Sequence, residues 1–176
     1  EINYKSFNAA LSALQQLAIL ESLEEIEKIV ESGGVEKVLK ISRKYSKYPD
    51  TAEHVNPAVF SALVHLSIHS NAASSKIAAS QHGIERIIEH LSSEVPLEII
   101  TLKNVFDALC NIAVAEVSKR KIGANGLEAL FGSLKSRFSR VHAYPDRFEM
   151  KDILASVVSF TRLVQLLEKD FDDHGF

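Results

Sequence analysis

The sequence is poor in the residues that interrupt helices. Its 176 residues include only 7 Gly and 4 Pro, and it contains no Trp. Leucine, isoleucine, alanine, glutamate and lysine, which all favour helix, are common. The composition therefore predicts an all-α fold. With 46% hydrophobic residues, the chain is also able to bury a hydrophobic core.

The single cysteine, Cys110, excludes an internal disulfide bond. It lies in the apolar run Ala108–Ile112, where we expect a small buried side chain, because reactive thiols need an accessible and electropositive setting. The sequence also has no Asn-x-Ser/Thr glycosylation motif. One cysteine and no glycosylation site together predict a reducing, intracellular and cytoplasmic location.

Long apolar runs are lacking as well. Charged residues interrupt each run well before the ~20 residues that a membrane span needs, so we predict none. No signal peptide is visible, and the chain begins with Glu1 rather than Met, which predicts a fragment of a longer protein. The formal net charge of −3 is too small to steer a partner by itself.

Three segments of the sequence resemble one another. Each contains a glycine followed by an aliphatic residue, a glutamate and an amphipathic run, and the segments are Ile29–Leu39, Ala79–Ile88 and Gly123–Phe131. Their glycines are Gly34, Gly83 and Gly126, and Gly175 stands where a fourth copy would begin. Spacings of 49 and 43 residues are typical of helical solenoids. We expect each glycine to take a positive φ, so that the chain reverses between two helices.

A second motif precedes each glycine. It combines small and aliphatic residues at fixed places and occurs at Ala13–Ala18, Ala62–Ser67 and Ala108–Ala113, with Ser156–Thr161 as a looser fourth copy. Its fourth residue precedes the glycine by 18 residues in the first two copies and by 15 in the third. Two independent motifs that keep a common register indicate a structural repeat.

The combined pattern resembles the armadillo repeat, whose unit ends in an Ala-Leu-x-Asn-Ile/Leu-Ala helix and continues through a Gly-Gly turn. The best match is Ala108–Ala113 followed by Gly126–Leu134, and the resemblance covers nearly the whole chain. It implies one domain over residues 1–176, a right-handed superhelical solenoid of about three to three and a half repeats. It also implies a non-catalytic eukaryotic scaffold or adaptor that binds a segment of a partner protein in a concave groove.

Each repeat should contain a short first helix, a second helix after its glycine, and a long third helix. We predict first helices from about Ser22, Ser74 and Val117, and second helices after the three glycines. The first third helix should span about residues 5–20, and the later ones should begin near Asn56–Pro57, Pro96 and Asp146. Ser22 with Glu25, and Asn56 with Pro57, suit helix starts. Loops are expected at 46–55 and 139–145, with a short one at 92–95.

In armadillo proteins, Asn side chains of the groove hold the backbone of an extended peptide. The resemblance places Gln16, His65, Asn111 and Ser159 at these positions, with Asn111 alone keeping the family residue. One turn earlier, nuclear-import members carry Trp, which this chain lacks, so a lysine-binding aromatic cage is not expected. The predicted partner-binding residues are Ser12, Gln16, Ser61, His65, Asp107, Asn111 and Ser159. A structural role for Asn111, joining adjacent third helices, is the alternative.

Motifs of catalysis are not found. The sequence contains neither Gly-x-Ser-x-Gly nor a phosphate-binding loop, and the neighbouring carboxylates of Glu24–Glu25 and Asp172–Asp173 point different ways on a helix. We therefore predict no catalytic residue and no cofactor. His65 and His69 share a helix face, but zinc needs a third protein ligand, so we interpret them as surface or groove histidines and predict no metal.

Basic residues are unevenly distributed. Between Lys119 and Lys151 there are eight Lys/Arg against three acids. The possible basic patch is Lys119, Arg120, Lys121, Lys135, Arg137 and Arg140. A second group is Lys37, Lys40, Arg43, Lys44 and Lys47, and it faces an acidic stretch from Glu21 to Glu31. We interpret these groups as solvated helix faces, because the overall charge is acidic, and do not expect nucleic acid or acidic lipid as partners. Binding of phosphates or acidic peptides is the alternative.

A regulatory segment of a larger multidomain enzyme, acting by docking on a catalytic domain, is a further alternative to the scaffold.

Overall fold

In the computed structural model, the structure describes residues 3–80, 82–92, 99–114, 116–143 and 150–173. These residues form nine helices and no strand, which confirms the predicted all-α class. None of these helices is both long and apolar enough to cross a membrane. The helices are α1 (Tyr4–Leu17), α2 (Leu23–Glu31), α3 (Gly34–Tyr45), α4 (Pro49–His69), α5 (Asn71–Ala79), α6 (Gly83–Ser92), α7 (Ile99–Ile112), α8 (Glu116–Ala143) and α9 (Met150–Asp173).

The first compact unit spans Glu1–Gly83 and is built around α4. This helix packs against α1, α3 and α5 and also contacts α2. Its aliphatic residues Leu63 and Leu66 are fully buried, as is Leu14 of α1. At one edge, the rings of Phe7 and Tyr45 meet edge to face, with 5.3 Å between their centroids. Burial of these apolar side chains is the main source of stability in the unit.

The second compact unit spans Ile84–Phe176, and its central contact is α7 against α9. The ring of Phe106 is fully buried and lies 5.3 Å, centroid to centroid, from that of Phe160. Helix α8 contacts both α7 and α9. Its residues Ile122 and Leu130 are fully buried and eight apart, so they lie on one face of the helix.

The order of the helices follows the predicted repeat in two copies and departs from it in the third. A short helix, a second helix and a long helix succeed one another in α2–α3–α4 and again in α5–α6–α7. In the third copy, one continuous helix, α8, replaces the first two, and α9 follows it. The predicted turn at Gly126 is therefore wrong, as is the end of a helix at residue 139, since α8 continues to Ala143.

Gly126 serves helix packing instead of a turn. It is buried between Ile122 and Leu130 on the inner face of α8, and a Cβ at this position would lie 2.9 Å from Cδ1 of Ile88. A single glycine costs a helix only about 1 kcal/mol, and no proline stands nearby to stop it. The continuous apolar face of α8 outweighs this cost, so the helix passes through the glycine.

The glycines before α3 and α6 act differently from the prediction as well. The positive φ, 82°, belongs to Gly33, the N-cap of α3, and neither Gly34 nor Gly83 has one. A Cβ on Gly34 would lie 2.5 Å from Cγ2 of Ile29 and 2.7 Å from its carbonyl oxygen. A Cβ on Gly83 would collide with Ser80 Oγ and would lie 2.6 Å from the carbonyl oxygen of Ile77. Close approach of the preceding helical turn, rather than backbone conformation, therefore requires glycine at Gly34 and Gly83.

The predicted start of α2 is confirmed, because Ser22 is its N-cap and accepts a hydrogen bond from the Glu25 amide at 3.3 Å. The start predicted at Ser74 is wrong, since α5 begins at Asn71 behind the N-cap Ser70. The hydroxyl of Ser74 donates instead to the Ser67 carbonyl at 2.9 Å. The hydroxyl of Ser70 accepts a hydrogen bond from a backbone amide in the first turn of α5, and this bond makes Ser70, rather than Ser74, the N-cap.

The long helix α4 begins at Pro49 rather than at Asn56–Pro57, and most of the loop predicted at 46–55 is therefore helix. Pro49 occupies the first helical position, and Thr51 Oγ1 donates to the Tyr45 carbonyl at 2.7 Å, which anchors this turn. Pro57 lies inside the helix and leaves the Glu53 carbonyl without its amide donor. Glu53 is exposed, so water is able to satisfy that carbonyl.

Other predicted boundaries fall close to or outside the described residues. Helix α1 agrees with the long helix predicted at about 5–20, and α8 begins one residue before Val117. The predicted starts at Pro96 and Asp146, the possible fourth turn at Gly175, and residues 93–95 and 144–145 of the predicted loops lie outside the described residues.

Candidate functional site

The second half of α4 is buried on every side except along one line. Between Ala58 and Ser67, only Ser61 and His65 are accessible, and Ile68 and His69 continue the line to the end of the helix. These residues are spaced by three or four positions, so their side chains lie on one face of the helix. Helix α4 therefore presents a narrow, largely polar strip to solvent.

The long helix of the second unit, α7, presents the same strip at equivalent positions. From Val105 to Ala113, only Asp107 and Asn111 are accessible, and Val114 continues the line. Asp107 and Asn111 follow Ser61 and His65 by 46 residues, the offset that separates the two Ala-Leu motifs in the sequence. The same positions are buried and the same position is accessible in both motifs. Residues that are aligned in the two motifs therefore lie on the same face of their helices.

Two more predicted site residues lie on α1, which packs against α4 in the first unit. Ser12 and Gln16 are both exposed, one helical turn apart. Ser159, by contrast, is only 7% exposed on the inner side of α9, where its carbonyl oxygen lies 3.9 Å from Cys110 Sγ. The structure therefore corrects the placement of Ser159 among the partner-binding residues. The looser fourth copy of the motif has a different register on its helix.

His65 already has a hydrogen-bond partner within the chain. Its Nε2 lies 2.7 Å from the carbonyl oxygen of Leu20, in the link between α1 and α2. Since a carbonyl only accepts, Nε2 is the donor in this hydrogen bond, and Nδ1 is the remaining ring nitrogen. The ring also lies 4.5 Å, centroid to centroid, from that of His69. His65 therefore joins two parts of the first unit and offers a ligand one ring nitrogen.

Asp107 is paired within α7. Its Oδ2 accepts a hydrogen bond from Lys103 Nζ at 2.7 Å, and the two side chains are 26% and 34% exposed. Because this pair is accessible to water, a ligand with a basic group is able to compete with Lys103 at small cost. Asn111, one turn further, is partly exposed. Lys103 also belongs to the strip, and no sequence pattern marks it, because its role follows only from the contact with Asp107.

The prediction that Cys110 is a buried core residue is confirmed. Its side chain is 4% exposed, and burial raises the pKa of the thiol to about 11, with Arg162 opposing and Asp107 reinforcing the shift. The thiol is therefore protonated and unreactive at neutral pH. In the described parts of the chain, the His, Cys, Asp and Glu side chains form no group of three that would hold a metal ion.

Two histidines have a lowered pKa. Partial desolvation, with a smaller contribution from His65, lowers the pKa of His69, and burial lowers the pKa of His90, which is only 9% exposed. A buried histidine of this kind titrates below pH 6.5 in the folded chain and near pH 6.5 in the unfolded chain. The unfolded chain thus binds more protons as the pH falls below 6.5.

We expect the free energy of unfolding to be fully retained above pH 6.5 and to decrease as the pH falls from 6.5 toward the lowered pKa of His90. The measurement is the urea midpoint at pH 7.5 and at pH 5.5. In a His90→Gln variant, which is polar but does not titrate, the difference between the two midpoints should be smaller than in the wild type. An unchanged difference would show that His90 does not carry this pH dependence.

The predicted basic patch is divided along α8. Lys119, Arg120 and Lys121 lie in its first turns, and Lys135 is exposed 14 residues later, about 21 Å along the axis. Arg137 and Arg140 also belong to α8, but their side chains lie outside the described part. The structure therefore does not bring Lys135 together with the other described members of this patch.

Comparisons of the chain with protein-family models, with curated proteins and with solved structures found no match. The all-α fold and the strips on α4 and α7 are therefore established from this chain alone, without a relative for comparison. The armadillo-like repeat and the partner-binding role stay predictions from the sequence.

Proposed function

We propose that this chain is a non-catalytic, armadillo-like protein-interaction scaffold, located in the cytoplasm, that binds an extended segment of a partner protein. The observation that carries this proposal is the pair of matched strips on α4 and α7. Along residues 58–67 of α4 and 105–113 of α7, one stretch in each unit, the side chains are buried except at equivalent polar positions. These polar positions are accessible to solvent, so a ligand is able to reach them.

The residue types of the strips suit the backbone of an extended peptide. An amide such as that of Asn111 both donates and accepts hydrogen bonds, and a backbone offers both partners at each residue. Ser61 adds a hydroxyl with the same double capacity. The apolar ends, Ile68 and Val114, supply contact for a ligand side chain. This combination favours recognition through the main chain, with limited preference for the ligand's own side chains.

The test uses a library of random twelve-residue peptides, displayed on phage and selected on the wild-type chain. We expect the enriched peptides to lose at least about tenfold in affinity when Asp107 and Asn111 are both replaced by alanine, as is usual for central contact residues. Affinity is measured by fluorescence anisotropy with the synthetic peptides. The melting temperature of this variant should change by only a few degrees, since both side chains are partly exposed.

A matched control replaces Thr161 and Gln165 by alanine. These two polar residues are also one turn apart and exposed, but they lie on a different helix, α9. The control should bind the enriched peptides as the wild type does. Equal binding to the Asp107/Asn111 variant, or a selection that enriches no peptide, would refute the proposal. A large fall in its melting temperature would instead support the structural role for Asn111.

A further inference from the structure

Helix α3 is amphipathic, and its solvent side is almost entirely cationic. Val35, Val38, Leu39 and Tyr45 are buried on one side. The opposite side, continued into the turn that follows the helix, carries five exposed basic residues. They are Lys37, Lys40, Arg43, Lys44 and Lys47, which we call the α3 basic face.

Most of this charge is not neutralised by the chain. Lys37 donates to the Ser32 carbonyl at 3.0 Å, and the Lys44 ammonium lies 4.8 Å from the centre of the Tyr45 ring. Lys40, Arg43 and Lys47 form no ion pair with any carboxylate in the described ranges. The acid of this helix, Glu36, pairs with Lys76 of α5. The face therefore has a strong uncompensated positive charge.

Helix stability does not account for this arrangement. Basic residues three or four positions apart repel one another, as Lys40 does with Arg43 and Lys44. The helix dipole favours cations in the last turn, which explains Arg43 and Lys44. The dipole gives no such advantage to Lys40, in the middle of the helix. A face whose charges repel in the free protein gains most when an anionic ligand lies on it.

The neighbouring helix restricts the kind of anion. Helix α2 packs beside α3, and its solvent side exposes Glu24, Glu25 and Glu31 together with one cation, Lys28, which pairs with Glu24. An extended polyanion, such as a nucleic acid duplex or an anionic membrane surface, would meet this acidic side as well and be repelled. A short acidic segment that follows α3 alone avoids it. From Lys37 to Lys47 the face is about 15 Å long, the reach of roughly five extended residues.

We propose that the α3 basic face binds a short acidic segment, rich in Asp or Glu, of a partner protein. This surface is separate from the strips on α4 and α7 and does not depend on their function. Recognition is electrostatic, so binding weakens as salt is added.

The probe is a fluorescein-labelled dodecapeptide in which six Glu alternate with Ser, measured by anisotropy at an ionic strength of about 0.05 M. We expect the wild type to bind it, and the variant Lys40→Glu, Arg43→Glu, Lys47→Glu to bind at least about tenfold more weakly. A second variant with Gln at the same three positions should also bind more weakly, and it covers the case in which charge reversal unfolds the chain.

The matched control makes the same change of charge elsewhere, by replacing Lys5, Lys151 and Arg162 with Glu. These three cations are exposed on α1 and α9. We expect this control to weaken binding no more than about twofold, since it alters only the net charge. Equal weakening in the control and the α3 variant would overturn the proposal, as would no binding of the peptide by the wild type.

Two parallel measurements test the other anions, a twelve-base-pair DNA duplex and vesicles that contain phosphatidylserine. The proposal expects both to bind more weakly than the peptide, because the acidic side of α2 repels them. Tighter binding of either one, lost in the Lys40/Arg43/Lys47 variant, would overturn the acidic-segment assignment in favour of an extended polyanion.

Discussion

Replacing Gly34 with alanine should lower the free energy of unfolding by about 2–3 kcal/mol. The added methyl carbon would lie 2.5 Å from Cγ2 of Ile29 and 2.7 Å from its carbonyl oxygen, well inside contact distance. Movement of α2 is restricted, because Lys76 Nζ donates to the Val30 carbonyl at 2.6 Å and so joins the end of α2 to α5. The backbone must therefore shift against a hydrogen bond, and the measurement is chemical denaturation followed by circular dichroism.

A second glycine of the same chain provides the control. Gly123 lies in α8 with no atom within 4 Å of a Cβ built at its position. Alanine there should raise stability by about 0.5–1 kcal/mol, because alanine has the higher helix propensity and no neighbour is displaced. Equal stability of the two variants would contradict the close contact between Gly34 and Ile29 of α2. Gly83→Ala should resemble Gly34→Ala, since its methyl group would meet Ser80 and Ile77.

Replacing Phe106 with alanine should have the largest effect in the second unit, a loss of about 3–5 kcal/mol. Its side chain is fully buried, and its ring packs 5.3 Å from that of Phe160, where α7 meets α9. Truncation removes the buried apolar area and leaves a cavity that the surrounding helices fill only in part. The loss is measured by chemical denaturation of the whole chain, with the transition of the second unit followed separately if the units unfold in two steps.

Phe131 is the matched control for Phe106, because its ring contacts the same Phe160 ring at 5.0 Å but is 54% exposed. Phe131→Ala should cost about 1 kcal/mol, since half of the ring remains in water and truncation leaves no closed cavity. A loss as large as that of Phe106→Ala would mean that the core of the second unit lies between α8 and α9 rather than between α7 and α9.

The register of the long helices is the part of the fold that the sequence predicted best. The Ala-Leu motifs of α4 and α7 were aligned from residue types alone, and the structure buries the corresponding residues in both. Apolar periodicity dictates which face of a helix is buried, so two segments with the same pattern expose the same positions. The pattern failed at Ser159, because the copy in α9 keeps too few of the motif's residues to define a register.

Helix ends were predicted less well, because competing signals of similar energy lie close together. Asn56 with Pro57 is a good helix start in isolation, but Pro49 is also suited to the first helical position. The hydrogen bond from Thr51 to the Tyr45 carbonyl stabilises the start at Pro49. Gly126 looks like a turn in sequence. The cost of one glycine in a helix is small, and a helix continues through it when continuation buries enough apolar surface. Here continuation of α8 keeps both Ile122 and Leu130 buried on one face.

The sequence by itself determined the all-α class, the absence of a disulfide and the polar positions of the strips, since these follow from composition and spacing. Only the tertiary structure decided which of those polar groups already have partners. Hydrogen bonds such as His65 to Leu20 join residues 45 positions apart, and no local pattern encodes them. The same holds for the α3 basic face: its lysines are visible in the sequence, but their lack of carboxylate partners in the described residues depends on how α2, α3 and α5 pack together.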